Sequence, residues 1–291
     1  MTEPHHHLLS LTALALLALA PPVAAMDMDG RVPAATPWAA VAGPSAGPPR
    51  VIGTPADGCL SGAAVLPPDG PGYEAIRLSR RRNFGHPDTI AFVARLGRAA
   101  AAAGLPLVYV GDMAQPRGGP MVSGHSAHQN GLDVDIWFTL VSRPRRPVAE
   151  REDLSLPSML QPGGTAVDLH RFGSRQVTLL RLAAADPRVD RIFVNPAIKL
   201  ALCRGLAGRG EAKRTWLHKI RPWWGHDEHF HVRLRCPPDS PDCRSQASIP
   251  PGAGCGARLA WWFTPHPAAP AVRPPTKPPL PLQCRAVLAA R

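Results

Sequence analysis

The chain has 291 residues, 45% of them hydrophobic, and carries 33 Lys and Arg against 21 Asp and Glu, a formal net charge of +12. That length and apolar content allow one domain with a proper core, or a domain with long decorated loops. The positive field attracts polyanions; for an exported chain these are anionic wall polymers and lipid headgroups, which excludes nucleic acid, although a genomic bias toward Arg, Ala, Pro and Gly would give the same charge without function.

Leu8 to Ala20 is an apolar run broken by Pro21-Pro22 and followed by the small residues Val23-Ala24-Ala25. This reads as a signal peptide, residues 1–25, cleaved after Ala25, with His5 to His7 in an n-region that lacks Lys and Arg. The run is too short to span a bilayer comfortably, and no later segment reads as transmembrane. The mature protein is therefore expected to be soluble outside the cytoplasm. Residues 26–57, rich in Pro, Ala and Gly, read as an extended N-terminal arm, and 58–291 as a single domain.

Within that domain, His86-Pro87-Asp88 marks a helix entry, and Ile90 to Ala103 carries apolar residues at helical spacing until Gly104. Leu107–Val110 is a strand, and Asp112 to Gly124 is a Gly- and Pro-rich loop. Leu132 to Leu140 is a second strand, and residues 142–174 are loop-like. Arg175 to Ala185 reads as a helix, Arg191 to Val194 as a strand, and Ala197 to Ala207 as a short helix holding Cys203. Pro265 to Pro281 is a stiff proline-rich segment. The expected class is α+β: a small antiparallel sheet flanked by a few helices and long disulfide-tied loops.

Six cysteines follow the signal segment: Cys59, Cys203, Cys236, Cys243, Cys255 and Cys284. An even count in an exported chain implies three disulfides. No CxxC pair is present, which argues against a cysteine metal cluster. Cys236 and Cys243 enclose a Pro- and Asp-rich loop and are expected to bridge locally.

Two strings carry the chemistry: GHSAHQNGLDVDI from Gly124 to Ile136, and WGHDEHFHVRLR from Trp224 to Arg235. Read as strands, they alternate faces. Asp133, Asp135 and Trp137 then lie opposite Leu132, Val134, Ile136 and Phe138; His229, His231, Arg233 and Arg235 lie opposite Phe230, Val232 and Leu234. Two such strands can pair so that their polar faces floor one site. The sheet is thus expected to carry a zinc ion (Zn2+) on His128, Asp135 and His231, three ligands with one position left for water. His229, on the same strand face, and His226, just before the strand, supply a proton acceptor and a group to stabilise an oxyanion, in an order the spacing leaves open. His125 is either a further site residue or a loop histidine. Asp133 either orients a ligand histidine or pairs with an arginine.

These strings, with RRNFGHPDTIAF, VYVGDMAQPRGG and RIFVNPAIKLALC in order, resemble the penicillin-insensitive murein endopeptidases, zinc peptidases with HxxxxxxD and HxH motifs related to lysostaphin and the D-Ala-D-Ala carboxypeptidases. The likeness spans about residues 58 to 285. It implies the same three zinc ligands, catalytic roles for His229 and His226, and His125 in the cleft. It also implies a periplasmic enzyme that cuts D-alanyl-diaminopimelyl cross-links of peptidoglycan, and disulfides Cys59–Cys284, Cys203–Cys255 and Cys236–Cys243. The chain departs from the pattern at Ser126-Ala127, at Asn130 and in the proline stretch, and none of these removes a ligand. The alternatives are a D-Ala carboxypeptidase of the same zinc class and a non-catalytic zinc-containing wall-binding module.

Smaller features remain. Arg80 to Arg82 either bind a substrate carboxylate or form a solvated face, the latter favoured. His86 is expected to start a helix, Asp112 to support the histidine loop or merely make a turn, and Trp223-Trp224 to wall the cleft. Trp261-Trp262 is expected in the core, and His266 to be inert.

Overall fold

The structure is a computed structural model that describes residues 36–122, 125–142, 144–206, 215–264 and 280–290. The signal segment, most of the proline-rich stretch and His266 lie outside the described residues. The helices are α1 (Thr36–Ala40), α2 (Pro87–Ala102), α3 (Ser174–Ala185), α4 (Pro196–Ala201), α5 (Ala257–Ala260) and α6 (Gln283–Ala289). The strands are β1 (Arg50–Gly53), β2 (Gly58–Ser61), β3 (Ala64–Val65), β4 (Asp69–Gly70), β5 (Tyr73–Ala75), β6 (Phe84–Gly85), β7 (Leu107–Val110), β8 (Asp133–Val141), β9 (Val189–Val194), β10 (Ile220–Pro222) and β11 (His229–Leu234).

One sheet organises the molecule, in the order β10-β9-β11-β8-β7-β5-β4. Its central strands β9, β11, β8 and β7 are antiparallel to their neighbours in that group, as expected. The sheet grows beyond that centre through parallel pairings of β10 with β9 and of β5 with β7. The class is α+β.

Alternation decides which side is core. Val134, Ile136 and Phe138 of β8 and Phe230 and Val232 of β11 are fully buried. They share a core with Phe92, Val93 and Leu96 of α2 and Leu179, Leu180 and Ala183 of α3. The two amphipathic helices thus cover one face, which leaves the other face for the polar residues.

The helix at His86 starts as expected. The His86 imidazole caps α2 by accepting the Asp88 N–H at 3.2 Å, with Pro87 in the first turn, where its missing N–H is harmless. Ala197 to Ala207 keeps α-helical form only as far as Ala201; a wider turn over Leu202–Leu206 follows, with Gly205 at φ 143°. Within the segment read as an arm, residues 36–57 hold α1 and β1. Trp38, Val51 and Ile52 there are buried, and Trp38 packs so closely on Gly119 that a Cβ at that glycine would overlap its ring. Three disulfides close the fold as the resemblance implied: Cys59–Cys284, Cys203–Cys255 and Cys236–Cys243.

Candidate metal centre

β8 and β11 pair antiparallel with His231 opposite Asp135, Arg233 opposite Asp133 and His229 opposite Trp137. Directly opposed residues share a face, so the register builds the polar floor that the two strings foretell.

The loop before β8 delivers two more histidines. His128 sits at φ 67°, a left-handed conformation that a non-glycine residue holds only when its surroundings enforce it. Its backbone N–H donates to Asp133 Oδ2 at 3.0 Å, and Asn130 Oδ1 accepts the Leu132 N–H at 3.3 Å. Gly131, at φ 78°, lies against Leu60, where a side chain would collide. The loop is thereby pinned with the His128 ring fully buried.

Four imidazoles surround one carboxylate. Asp135 Oδ1 lies 3.4 Å from His128 Nε2 and 3.3 Å from His231 Nδ1; Oδ2 lies 3.6 Å from His125 Nε2 and 3.7 Å from His229 Nε2. His125, His128 and Asp135 offer donor atoms all within 4.8 Å of one another, and His231 adjoins them through Asp135. Both ring nitrogens of His128 and Asp135 Oδ1 are buried without hydrogen-bond partners. Buried polar atoms in a folded protein are almost always satisfied, and of these His128 Nε2 and Asp135 Oδ1 face each other at 3.4 Å.

The electrostatics have the same sense. Burial pushes the Asp135 carboxyl up, but His128 and His229 outweigh it and hold the group well below its usual range. Burial disfavours charge on His128, yet Asp135 raises its affinity for a proton. Burial brings His231 down to about 4, so it is a neutral imidazole at neutral pH. A buried anionic oxygen ringed by imidazoles favours positive charge among them, and a divalent cation fits this donor set.

Supporting residues fix each donor. Asp133 pairs with an arginine, one of its two expected roles. Its carboxylate receives Arg233 through two bonds, 2.7 and 2.9 Å, and also lies 3.3 Å from His231 Nε2, with Nδ1 on the Asp135 side. Asp112 supports the histidine loop, with Oδ2 3.1 Å from His125 Nε2 and held by Arg82 at 2.9 Å and Arg80 at 3.2 Å. Burial opposes its ionisation, but His125 and Arg82 bring its pKa to about 2. Arg80 and Arg82 therefore serve the site through Asp112, and Arg81 donates to the Val41 carbonyl at 2.7 Å. His226, at φ 52°, places Nδ1 2.8 Å from the Trp224 carbonyl. Its loop is held by Asn195, the cap of α4, whose side chain donates to Gly225 O and whose backbone N–H donates to His226 O.

A cleft of about 670 Å³ opens over this floor, lined by His125, His226 and His231, with Trp223 and Trp262 on its wall. Trp261-Trp262 is not core. Trp261 is 52% exposed and Trp262 stacks against Trp223 and Trp224, because the short α5 ends at the cleft rim. Sequence reasoning missed Asn195, Arg82 and Arg233 as supports. Asn195-Pro196 is a helix-start signal that could have drawn attention to the first.

The family model described as penicillin-insensitive murein endopeptidase matches residues 51–289. Proteins bearing that description include one from Haemophilus influenzae, 46% identical over 238 residues that span 81% of this chain and 82% of the relative. One from Yersinia enterocolitica is 46% identical over 279 residues, 94% of each chain. One from Pectobacterium atrosepticum is 44% identical over 278 residues, 94% of this chain and 96% of its own.

Proposed function

The chain belongs to the penicillin-insensitive murein endopeptidase family, and from that membership and the buried His/Asp cluster we propose that it is a zinc-dependent endopeptidase. Its substrate is the D-alanyl-diaminopimelyl cross-link of peptidoglycan, and its place of action is the periplasm, reached through the signal peptide at residues 1–25. Among the described residues no helix is long and apolar enough to cross a membrane. The observation that carries the reading is Asp135 Oδ1 lying 3.4 Å from His128 Nε2 and 3.3 Å from His231 Nδ1 with no hydrogen-bond partner.

His128, Asp135 and His231 would hold the zinc, with His125 beside them. Bound zinc lowers the pKa of a water to about 7 and polarises a carbonyl oxygen. The chain's own residues supply the rest. A carbonyl only accepts, so His226 Nδ1 carries hydrogen toward Trp224 O and Nε2 keeps its lone pair; burial lowers the pKa of the ring and favours its neutral form. His226 takes the proton from the attacking water and returns it to the leaving amine as the amide C–N bond breaks. His229, beside the Asp135 carboxylate, hydrogen-bonds the oxygen that becomes negative. All six cysteines are in disulfides, so no thiol competes as nucleophile. The mechanism uses no acylated serine, which accounts for indifference to β-lactams.

Incubation with a purified cross-linked muropeptide dimer, followed by mass spectrometry, tests the reading. Conversion to two monomers, stopped by a chelator and restored by zinc, is expected. A dimer that stays intact at full zinc occupancy leaves the wall-binding module in its place, and release of terminal D-alanine alone leaves the carboxypeptidase.

A further inference from the structure

The register that sets His231 opposite Asp135 continues outward. Phe193 of β9 is opposite His231, and Arg221 of β10 is opposite Phe193. Asp135, His231, Phe193 and Arg221 thus form one row across four strands on one face. Two strand spacings separate the Arg221 and His231 backbones, about 10 Å, and both residues line the same cleft.

Four arginines line that cleft: Arg191, Arg221, Arg233 and Arg258; no Asp or Glu does so among the described residues. Two are occupied. Arg233 holds Asp133 and Gln246, and Arg191 holds Asp190 at 2.6 Å and the Ala247 carbonyl at 2.8 Å. Arg221 and Arg258 have no acceptor among the described residues. Their surroundings are cationic: burial and the neighbouring Arg191 and Arg258 lower the pKa of Arg221. The Arg221 guanidinium also lies against Gly254, with the Lys199 ammonium close behind, and that ammonium donates to the Leu217 and Ala253 carbonyls. Half-buried Arg221 and exposed Arg258 are charged neighbours in a cleft that no carboxylate lines among the described residues, and their forks match a carboxylate.

We infer that Arg221 and Arg258 form a carboxylate subsite that receives the leaving-group side of the substrate. Resting on the endopeptidase reading, this names the feature recognised: the free carboxylate on the diaminopimelyl carbon that bears the scissile nitrogen, the substrate anion nearest the bond being cut. The subsite selects cross-links in which that carboxylate is free over those in which it is amidated.

Two measurements on the zinc-loaded, disulfide-formed protein test this. The first compares cleavage of a muropeptide dimer bearing the free carboxylate with cleavage of its amidated counterpart. Wild type prefers the free form in kcat/KM by about 10- to 100-fold, through KM, and R221A/R258A abolishes the preference by raising KM for the free form. R221K/R258K, which keeps charge without the fork, recovers only part of it. The second measurement needs no turnover: calorimetric binding of a monomeric stem tripeptide ending in diaminopimelate, against its amide. Tighter binding of the free acid, lost in R221A/R258A, supports the subsite even if no dimer is cleaved, in which case only the endopeptidase reading fails. Equal binding of acid and amide by wild type, or a preference untouched by R221A/R258A, overturns the subsite whatever the activity.

Discussion

The Asp133–Arg233 pair supports the candidate centre from outside the proposed ligand set. Asp133 is fully buried, receives two bonds from one guanidinium and faces His231. Replacing Arg233 with Leu leaves that carboxylate buried without its cation, and unfolding by denaturant is expected to report a loss of about 3–5 kcal/mol. Asp133→Asn is gentler on stability but releases His231, so zinc affinity measured by competition with a chromophoric chelator is expected to fall about 10- to 100-fold. His229→Ala is expected to act differently, keeping bound zinc at the wild-type level while turnover of the cross-linked dimer drops by about 10² to 10⁴. Metal analysis and product analysis on one sample separate the two effects; loss of zinc in His229→Ala would make His229 a ligand instead.

Among the elements, α2 offers a cap with a pH signature. Burial lowers the pKa of His86 below 6.5, although Asp88 and Asp239 pull it back. The folded state therefore binds the proton less well than the unfolded chain. The contribution is fully present above about pH 6.5 and is lost as pH falls through the lowered folded value. Protonation also removes the lone pair that accepts the Asp88 N–H. Melting temperature should thus fall faster with acid in wild type than in His86→Asn, which caps without titrating, while His86→Ala loses about 1 kcal/mol at neutral pH. Parallel acid profiles in wild type and His86→Asn would contradict this. The same scale explains what was legible in the sequence. β8 and β11 are long enough for alternation to declare their faces, so the floor of the site could be read residue by residue. β3, β4 and β6 have two residues each and β10 three, too few for any period, and with β10 went the position of Arg221. Trp261-Trp262 misled because a tryptophan pair looks like core wherever the chain around it is not yet placed. Asp112 was ambiguous for a related reason: only the fold brings Arg80, Arg82 and His125 to one carboxylate.

At the scale of the molecule, one helix-covered face and one open polar face leave the chain ends to be secured by disulfides. Cys59–Cys284 joins β2 to α6 across 225 residues, whereas Cys236–Cys243 closes a span of 7. Loop entropy assigns about 5 kcal/mol to the first and about 2 to the second. Denaturant midpoints are expected to fall more for C59S/C284S than for C236S/C243S; the reverse order would show that α6 adds little to the folded state. The account as a whole stands on the metal centre, and the most direct test adds zinc stepwise to chelator-stripped protein while bound metal and cleavage of the cross-linked dimer are followed together. The account predicts no cleavage without metal and a return in proportion to zinc bound, lost in Asp135→Asn. Cleavage that persists in the metal-free protein would contradict it.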